Sequence, residues 1–174
     1  MSALSFVSCQ SDTYYIKGEA RHLNNGTVLY LSKDLNKESN PFDSMIVRNG
    51  KFYLKEVIAD TPFVSRLYVS GKPEQGIIFF IEPGHIYIEL SEKEGRSRVS
   101  GTVVNNHWQA LNDSVANCDR HIRQLMQQAN DSISPQKMSA DINRIYLNIT
   151  RQIRETALRN RDNTLGRFIS SHYQ

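Results

Sequence analysis

The sequence predicts an α+β fold, an antiparallel β-sandwich-like or barrel-like domain followed by an antiparallel helical hairpin. Three observations carry that expectation. Short apolar runs, punctuated by Asn, Gly and Pro, fill residues 13–101. Beyond Gly101 the apolar spacing changes to alternating fours and threes, the period of a helix face. That stripe is then interrupted at Asn130-Asp131-Ser132 and Ser134-Pro135, so two helices joined by a short loop are expected. The expected organisation is a leading segment over 1–12, a β-rich domain over 13–101, and a helical hairpin with a short last helix over 102–174.

The elements follow in order. Tyr14-Tyr15-Ile16-Lys17-Gly18-Glu19-Ala20 opens the strands, and Asn24-Asn25-Gly26 supplies a tight turn, because Asn and Gly tolerate positive φ. Thr27–Leu31 is the next strand, followed by a polar loop to Pro41. Ser44–Arg48, Asn49-Gly50 and Lys51–Lys55 form the clearest expected hairpin, since Asn-Gly between two apolar runs favours a type I′ turn. Phe63–Val69 is a further strand. Ile77–Ile81, the turn at Pro83-Gly84 and Ile86–Leu90 give a second expected hairpin, and residues around Arg98-Val99-Ser100 close the set. Residues 77–81 are apolar at every position, which predicts burial on both faces of that strand.

The first helix is read from Val104, Trp108, Leu111, Val115, Cys118, Ile122, Leu125 and Ala129. The second is read from Met138, Ile142, Ile145, Ile149, Ile153 and Ala157, with Pro135 suited to its first turn. Asn160–Asn163 ends it, and Leu165, Phe168 and Ile169 predict a last short helix.

The chain has 174 residues and a formal net charge of +3. Residues 1–101 hold 12 basic and 12 acidic side chains, and residues 102–174 hold 9 basic and 6 acidic, so the excess lies on the helices. A nucleic-acid surface is expected to be more basic and interleaved with exposed aromatics, so nucleic acid is not an expected partner. The two cysteines, Cys9 and Cys118, form no C-x-x-C motif, which excludes a dithiol centre and a cysteine-based four-ligand zinc site within this sequence.

Leu4-Ser5-Phe6-Val7-Ser8-Cys9 is small and apolar, and the chain turns polar at Gln10-Ser11-Asp12-Thr13. This resembles the end of a bacterial lipoprotein signal, in which a small residue precedes the cysteine that receives lipid. Cys9 is the candidate lipidation site. Phe6 stands where Leu is usual, no basic residue precedes Cys9, and the apolar stretch is shorter than a usual signal core, so the true start is read as lying upstream. No run approaches the ~20 apolar residues of a membrane-spanning helix, so the expected membrane link is a lipid anchor alone.

Candidate sites are sparse. Tyr30, Tyr53, Tyr68 and Tyr87, with Tyr14, alternate with apolar positions and make a candidate ligand face for a glycan or peptide, although tyrosine also packs well in strands. Cys118 and His121 are three apart on one helix, but Cys118 falls on the apolar stripe and reads as a buried structural residue. His22, His85, His107 and His172 are scattered, and no G-x-S-x-G elbow or Gly-rich phosphate loop accompanies them. Asp43-Ser44 reads as a polar pair holding local backbone where a strand begins, and Glu82 as a turn-flanking carboxylate. Asp-Ser-aliphatic triplets at Asp43, Asp113 and Asp131 are candidate glycan acceptors, of which Asp131-Ser132 is the one expected to be exposed. No catalytic residue, cofactor or metal site is expected.

Tyr15-Ile16-Lys17-Gly18, Asp43-Ser44, Asn49-Gly50-Lys51-Phe52, Glu82-Pro83-Gly84 and Val99-Ser100-Gly101-Thr102 occur in an order that resembles a bacterial family. That family is a domain of unknown function preceding thioredoxin-like domains in envelope thiol:disulfide oxidoreductases. Asn163-Thr164-Leu165-Gly166 and Phe168 resemble the segment just before the junction, and the resemblance spans most of residues 13–172. The redox C-x-x-C of such proteins has no counterpart in this sequence, so no activity is carried over. The resemblance implies a periplasmic or outer-membrane lipoprotein with an accessory or interaction role and a protein or glycan partner. The N-terminal, non-redox part of an oxidoreductase and a glycan- or peptide-binding sandwich are the alternatives. A homodimer through strand edges or striped helices stays open.

Overall fold

A computed structural model describes residues 13–35, 40–57, 61–93, 95–128 and 134–173. The candidate lipidation residue Cys9 and the candidate acceptor Asp131-Ser132 lie outside the described residues. The chain divides after Thr102 into two compact units.

The first unit holds β1 (Thr13–Glu19), β2 (Val28–Ser32), β3 (Asp43–Ile46), β4 (Lys51–Val57), β5 (Phe63–Val69), β6 (Lys72–Ile81), β7 (Gly84–Glu89) and β8 (Arg98–Ser100). They form two four-stranded sheets, ordered β4-β1-β7-β8 and β3-β2-β5-β6. Alternate residues of each sheet are fully buried: Ile16, Ile86 and Ile88 in the first, Leu29, Leu31, Leu67, Phe79 and Ile81 in the second. Period-two side chains on two sheets thus build one apolar core between them.

Three strand pairings differ from the sequence expectation: those of β6 with β7, of β1 with β7 and of β3 with β4. β6 and β7 flank Pro83 but do not pair, because β6 belongs to the second sheet with β5 and β7 to the first with β1 and β8. Pro83 and Gly84, the latter at φ 123°, instead carry the chain from one sheet to the other. The β1–β7 pair is parallel, in an otherwise antiparallel set. β6 instead forms a tight hairpin with β5, closed through Ser70 and Gly71, the latter at φ 72°. Of the apolar run 77–81, Phe79, Phe80 and Ile81 are fully buried, whereas Ile77 and Ile78 remain half-buried.

The Asn49-Gly50 turn forms with both residues at positive φ, 51° and 69°, as a type I′ turn requires. Arg48 and Lys51 exchange backbone hydrogen bonds of 2.8 and 3.0 Å across it. Beyond that bridge the arms part: β3 joins β2 in the second sheet, and β4 joins β1 in the first. The turn is therefore a corner between sheets.

The second unit holds α1 (Val103–Gln128), α2 (Pro135–Arg159) and α3 (Thr164–His172). Ser134 caps α2 by accepting from the Lys137 N–H at 3.3 Å, with Pro135 in the first turn. Asn163 caps α3 by accepting from Leu165 and Gly166. The α1 stripe is buried at Val104, Trp108, Leu111 and Leu125, and Trp108 meets Phe168 edge-on at 5.5 Å between ring centres. Along α2 no residue is fully buried. Cys118, expected in a core, is only half-buried, because the middle of the α1 stripe, from Val115 to Ile122, is incompletely covered.

Candidate functional site

The corner at Asn49-Gly50 positions the site. Where β3 and β4 separate, they leave an open groove of about 770 Å³, lined by Ser44, Met45 and Ile46 on one arm and Lys51, Phe52 and Tyr53 on the other. Its remaining wall comes from Lys17, Gly18, Glu19, Arg48 and Tyr87. This size lies within the ~300–1,000 Å³ of ordinary ligand clefts.

Strand register explains which side chains meet there. Lys17 on β1 is paired with Tyr53 on β4 on one side and with Tyr87 on β7 on the other, giving a row Tyr53–Lys17–Tyr87 across three strands. The next rows on the same face are Lys51–Glu19–Glu89 and Lys55–Tyr15–His85. Directly opposed side chains on one sheet face stand within interaction distance, so the rows form one polar, aromatic surface. Tyr15 stacks on His85 with 4.6 Å between ring centres, and the Lys55 ammonium stands 5.4 Å from the Tyr15 ring.

Glu19 is held by Arg21, whose guanidinium approaches it at 2.6 Å, and it also accepts a hydrogen bond from the Tyr87 hydroxyl. The Tyr87 phenol is held above its ordinary pKa, first by desolvation, then by the charges of Glu19 and Glu89. Lys17, Arg48 and Lys51 form no ion pair among the described residues, and all three are exposed. The groove consequently has a cationic rim around one neutralised carboxylate. Below it, the apolar floor is Met45 and Phe52, both nearly fully buried.

The four tyrosines selected from the sequence do not share one surface. Tyr53, 58% exposed, and half-buried Tyr87 lie together at the groove. Tyr30 and Tyr68 belong to the other sheet, where they are paired across β2 and β5 with ring centres 5.8 Å apart, and Tyr68 is buried. Tyr14 points into the core. Alternation along each strand was visible in the sequence, but sheet membership was not. Lys17, Lys51 and Arg48 were missed as site residues. The two lysines were signalled by the regular spacing Tyr15-Lys17-Glu19 and Lys51-Tyr53-Lys55, the solvent-side repeats of two strands, whereas Arg48 lies in neither repeat.

Other sequence candidates are accounted for locally. Asp43 accepts from the Ser44 backbone N–H at 2.6 Å where β3 begins. His121 is exposed beside half-buried Cys118, and the described residues contain no group of three or more potential metal ligands. His107 lies in the second unit, where its Nδ1 is 3.0 Å from Asn160 Oδ1 at the rim of a small pocket of about 240 Å³. No helix among the described residues is long and apolar enough to cross a membrane.

A two-sheet domain with a groove at an inter-sheet corner is thus the class of protein that the fold and the site define. Residues 14–108, more than half of the chain, match the family described as a domain of unknown function, DUF4369, and the chain belongs to that family. The match runs from β1 to Trp108 on α1 and includes every groove residue. No curated protein and no solved structure matches the chain.

Proposed function

We propose that this protein is a non-catalytic accessory or interaction module of a bacterial cell envelope, anchored by lipid at Cys9 and binding its partner through the β3–β4 groove. The observation that carries the reading is the groove itself. It joins an apolar floor, two tyrosines and three cations without ion-pair partners among the described residues at one open surface. Such a surface is suited to holding a ligand by contact and charge, since a few placed polar groups over an apolar base give orientation and affinity together. The family resemblance supports the compartment, through the lipoprotein-like sequence before Cys9 and the association with thioredoxin-like domains.

The test is a photo-reactive residue placed at Tyr53 in the source cells, with an equivalent label at exposed Gln136 as control, followed by fractionation and intact-mass measurement. The expected result is a discrete adduct at position 53 only, in the membrane fraction, with unlinked protein at the mass of Cys9–Gln174 plus lipid. Unlinked protein heavier by a whole domain would instead make the chain the front part of a thiol:disulfide oxidoreductase. Soluble protein that carries no lipid and gives no adduct at position 53 would sink the proposal.

A further inference from the structure

Among the described residues, β4 is an edge strand whose open side is unpaired beyond the corner. It bonds β1 on one side, and on the other Lys51 alone bridges to Arg48 among the described residues. Lys51 exchanges both backbone bonds with Arg48, so its N–H and C=O point away from β1, whereas the Gly50 carbonyl points inward and accepts from Ala20 at 2.7 Å. Backbone direction alternates along an antiparallel strand. Phe52 and Leu54 therefore bond β1, while Tyr53 and Lys55 direct their N–H and C=O groups outward, and no other strand or loop of the described residues takes them. Exposed amide rows of this kind template the addition of another strand.

The side chains limit what can be added. Lys51, Tyr53 and Lys55 stand on the outer face of this edge, with Lys17 beside Tyr53 and Arg48 at the corner. A second copy of β4, paired antiparallel about Tyr53, would set Lys51 against Lys55 twice, and like charges directly opposed are destabilising. An acidic residue at the same position would meet Lys51, an exposed lysine with no ion-pair partner among the described residues. Residues of the added strand that face the other way would meet half-buried Leu54 and the apolar floor at Met45. In that register the edge rejects its own copy, and its exposed lysines favour alternating acidic and apolar side chains.

We infer that the free edge of β4 is a strand-addition site for an extended acidic peptide, which hydrogen-bonds Tyr53 and Lys55 and places its carboxylates on Lys51, Lys55 and Arg48. This rests on the groove being the binding surface, and it adds the ligand class and the mode of recognition.

The test titrates the isotope-labelled full chain with a short peptide of alternating glutamate and valine, against one of alternating lysine and valine. Amide exchange is followed residue by residue. The acidic peptide is expected to bind and to slow exchange at Tyr53 and Lys55, leaving the already bonded amides of Phe52 and Leu54 unchanged. Joint Lys51→Glu and Lys55→Glu substitution should weaken it about tenfold and admit the basic peptide. Lys55→Pro removes one outward N–H without touching a bond to β1, so it should fold and lose binding. If that variant fails to fold, the charge reversal decides. Failure of the acidic peptide to bind, binding without protection of Tyr53 and Lys55, or unchanged affinity after charge reversal would each overturn strand addition. The crosslinking and mass results stand or fall separately from all three.

Discussion

Asn25 Oδ1 accepts the backbone N–H of Asn49 at 2.6 Å, and the Asn25 amide returns to Asn49 Oδ1 at 3.4 Å. Two turns 24 residues apart in sequence are thereby tied together. The neighbouring bonds Gly26 N–H to Val47 O and Val47 N–H to Thr27 O, both 2.9 Å, continue the tie. This contact fixes the corner at which β3 and β4 separate, and so it holds the mouth of the groove. Asn25→Ala should cost about 1 kcal/mol, the net worth of an exposed hydrogen-bonded tie, and lower the urea midpoint with an unchanged slope. A changed slope would show that the turn does more than hold the corner.

Glycine positions offer a sharper contrast. A Cβ at Gly18 would lie 2.5 Å from the Phe52 ring and closer still to the Ile88 carbonyl oxygen, whereas at Gly71 it would meet nothing. Gly18 and Phe52 are cross-strand partners, and the aromatic ring lies across the space that a larger residue would fill. Gly18→Ala should therefore cost about 3 kcal/mol, by overpacking against backbone that cannot yield. Gly71→Ala should cost only about 1 kcal/mol, from its positive φ. Chemical denaturation of both variants checks the ordering; equal losses would contradict the packing argument.

In the second unit, Asn160 is 3% exposed and its side chain serves three partners. Its amide donates to the Thr156 carbonyl at 2.9 Å, and its Oδ1 accepts from Asn163 at 2.8 Å and faces His107 Nδ1 at 3.0 Å. A carbonyl oxygen only accepts, so Nδ1 of His107 carries the proton. Nitrogen shifts of the neutral imidazole should report the Nδ1–H tautomer in the native chain. Asn160→Ala should abolish that preference and cost about 2–3 kcal/mol, because Asn163 loses its partner beside a buried helix start.

Alkaline pH should destabilise the first unit. Tyr14 is buried, and desolvation first, then the charges of Asp43 and Glu56, push its phenol from 10.0 up to about 12. The folded pKa lies above the unfolded one, so this contribution is fully present below pH 10 and is lost as pH rises through about 12. Urea midpoints should be flat below that window and fall within it, and Tyr14→Phe should reduce the fall. Tyr87 and Tyr173 are shifted in the same direction and keep the variant from becoming wholly flat. A Tyr14→Phe profile identical to the native one would contradict the assignment.

The sequence by itself determined the kinds of element and most of the turns. Period-two runs identified the strands, because a strand sends alternate side chains to opposite faces, and the two stripes identified α1 and α2. Asn49-Gly50 announced a type I′ turn because few residues accept positive φ twice in succession. The tertiary structure alone decided which sheet each strand joins. Alternation states that Ile86 and Ile88 are buried, but a hairpin and an inter-sheet crossover bury them equally well, so the expected hairpin of β7 with β6 gives way to β1 in parallel on one side and β8 on the other. The same freedom hid the site. Lys17 stands between Tyr53 and Tyr87 only because β1 lies between β4 and β7, a matter of long-range pairing that no local pattern encodes.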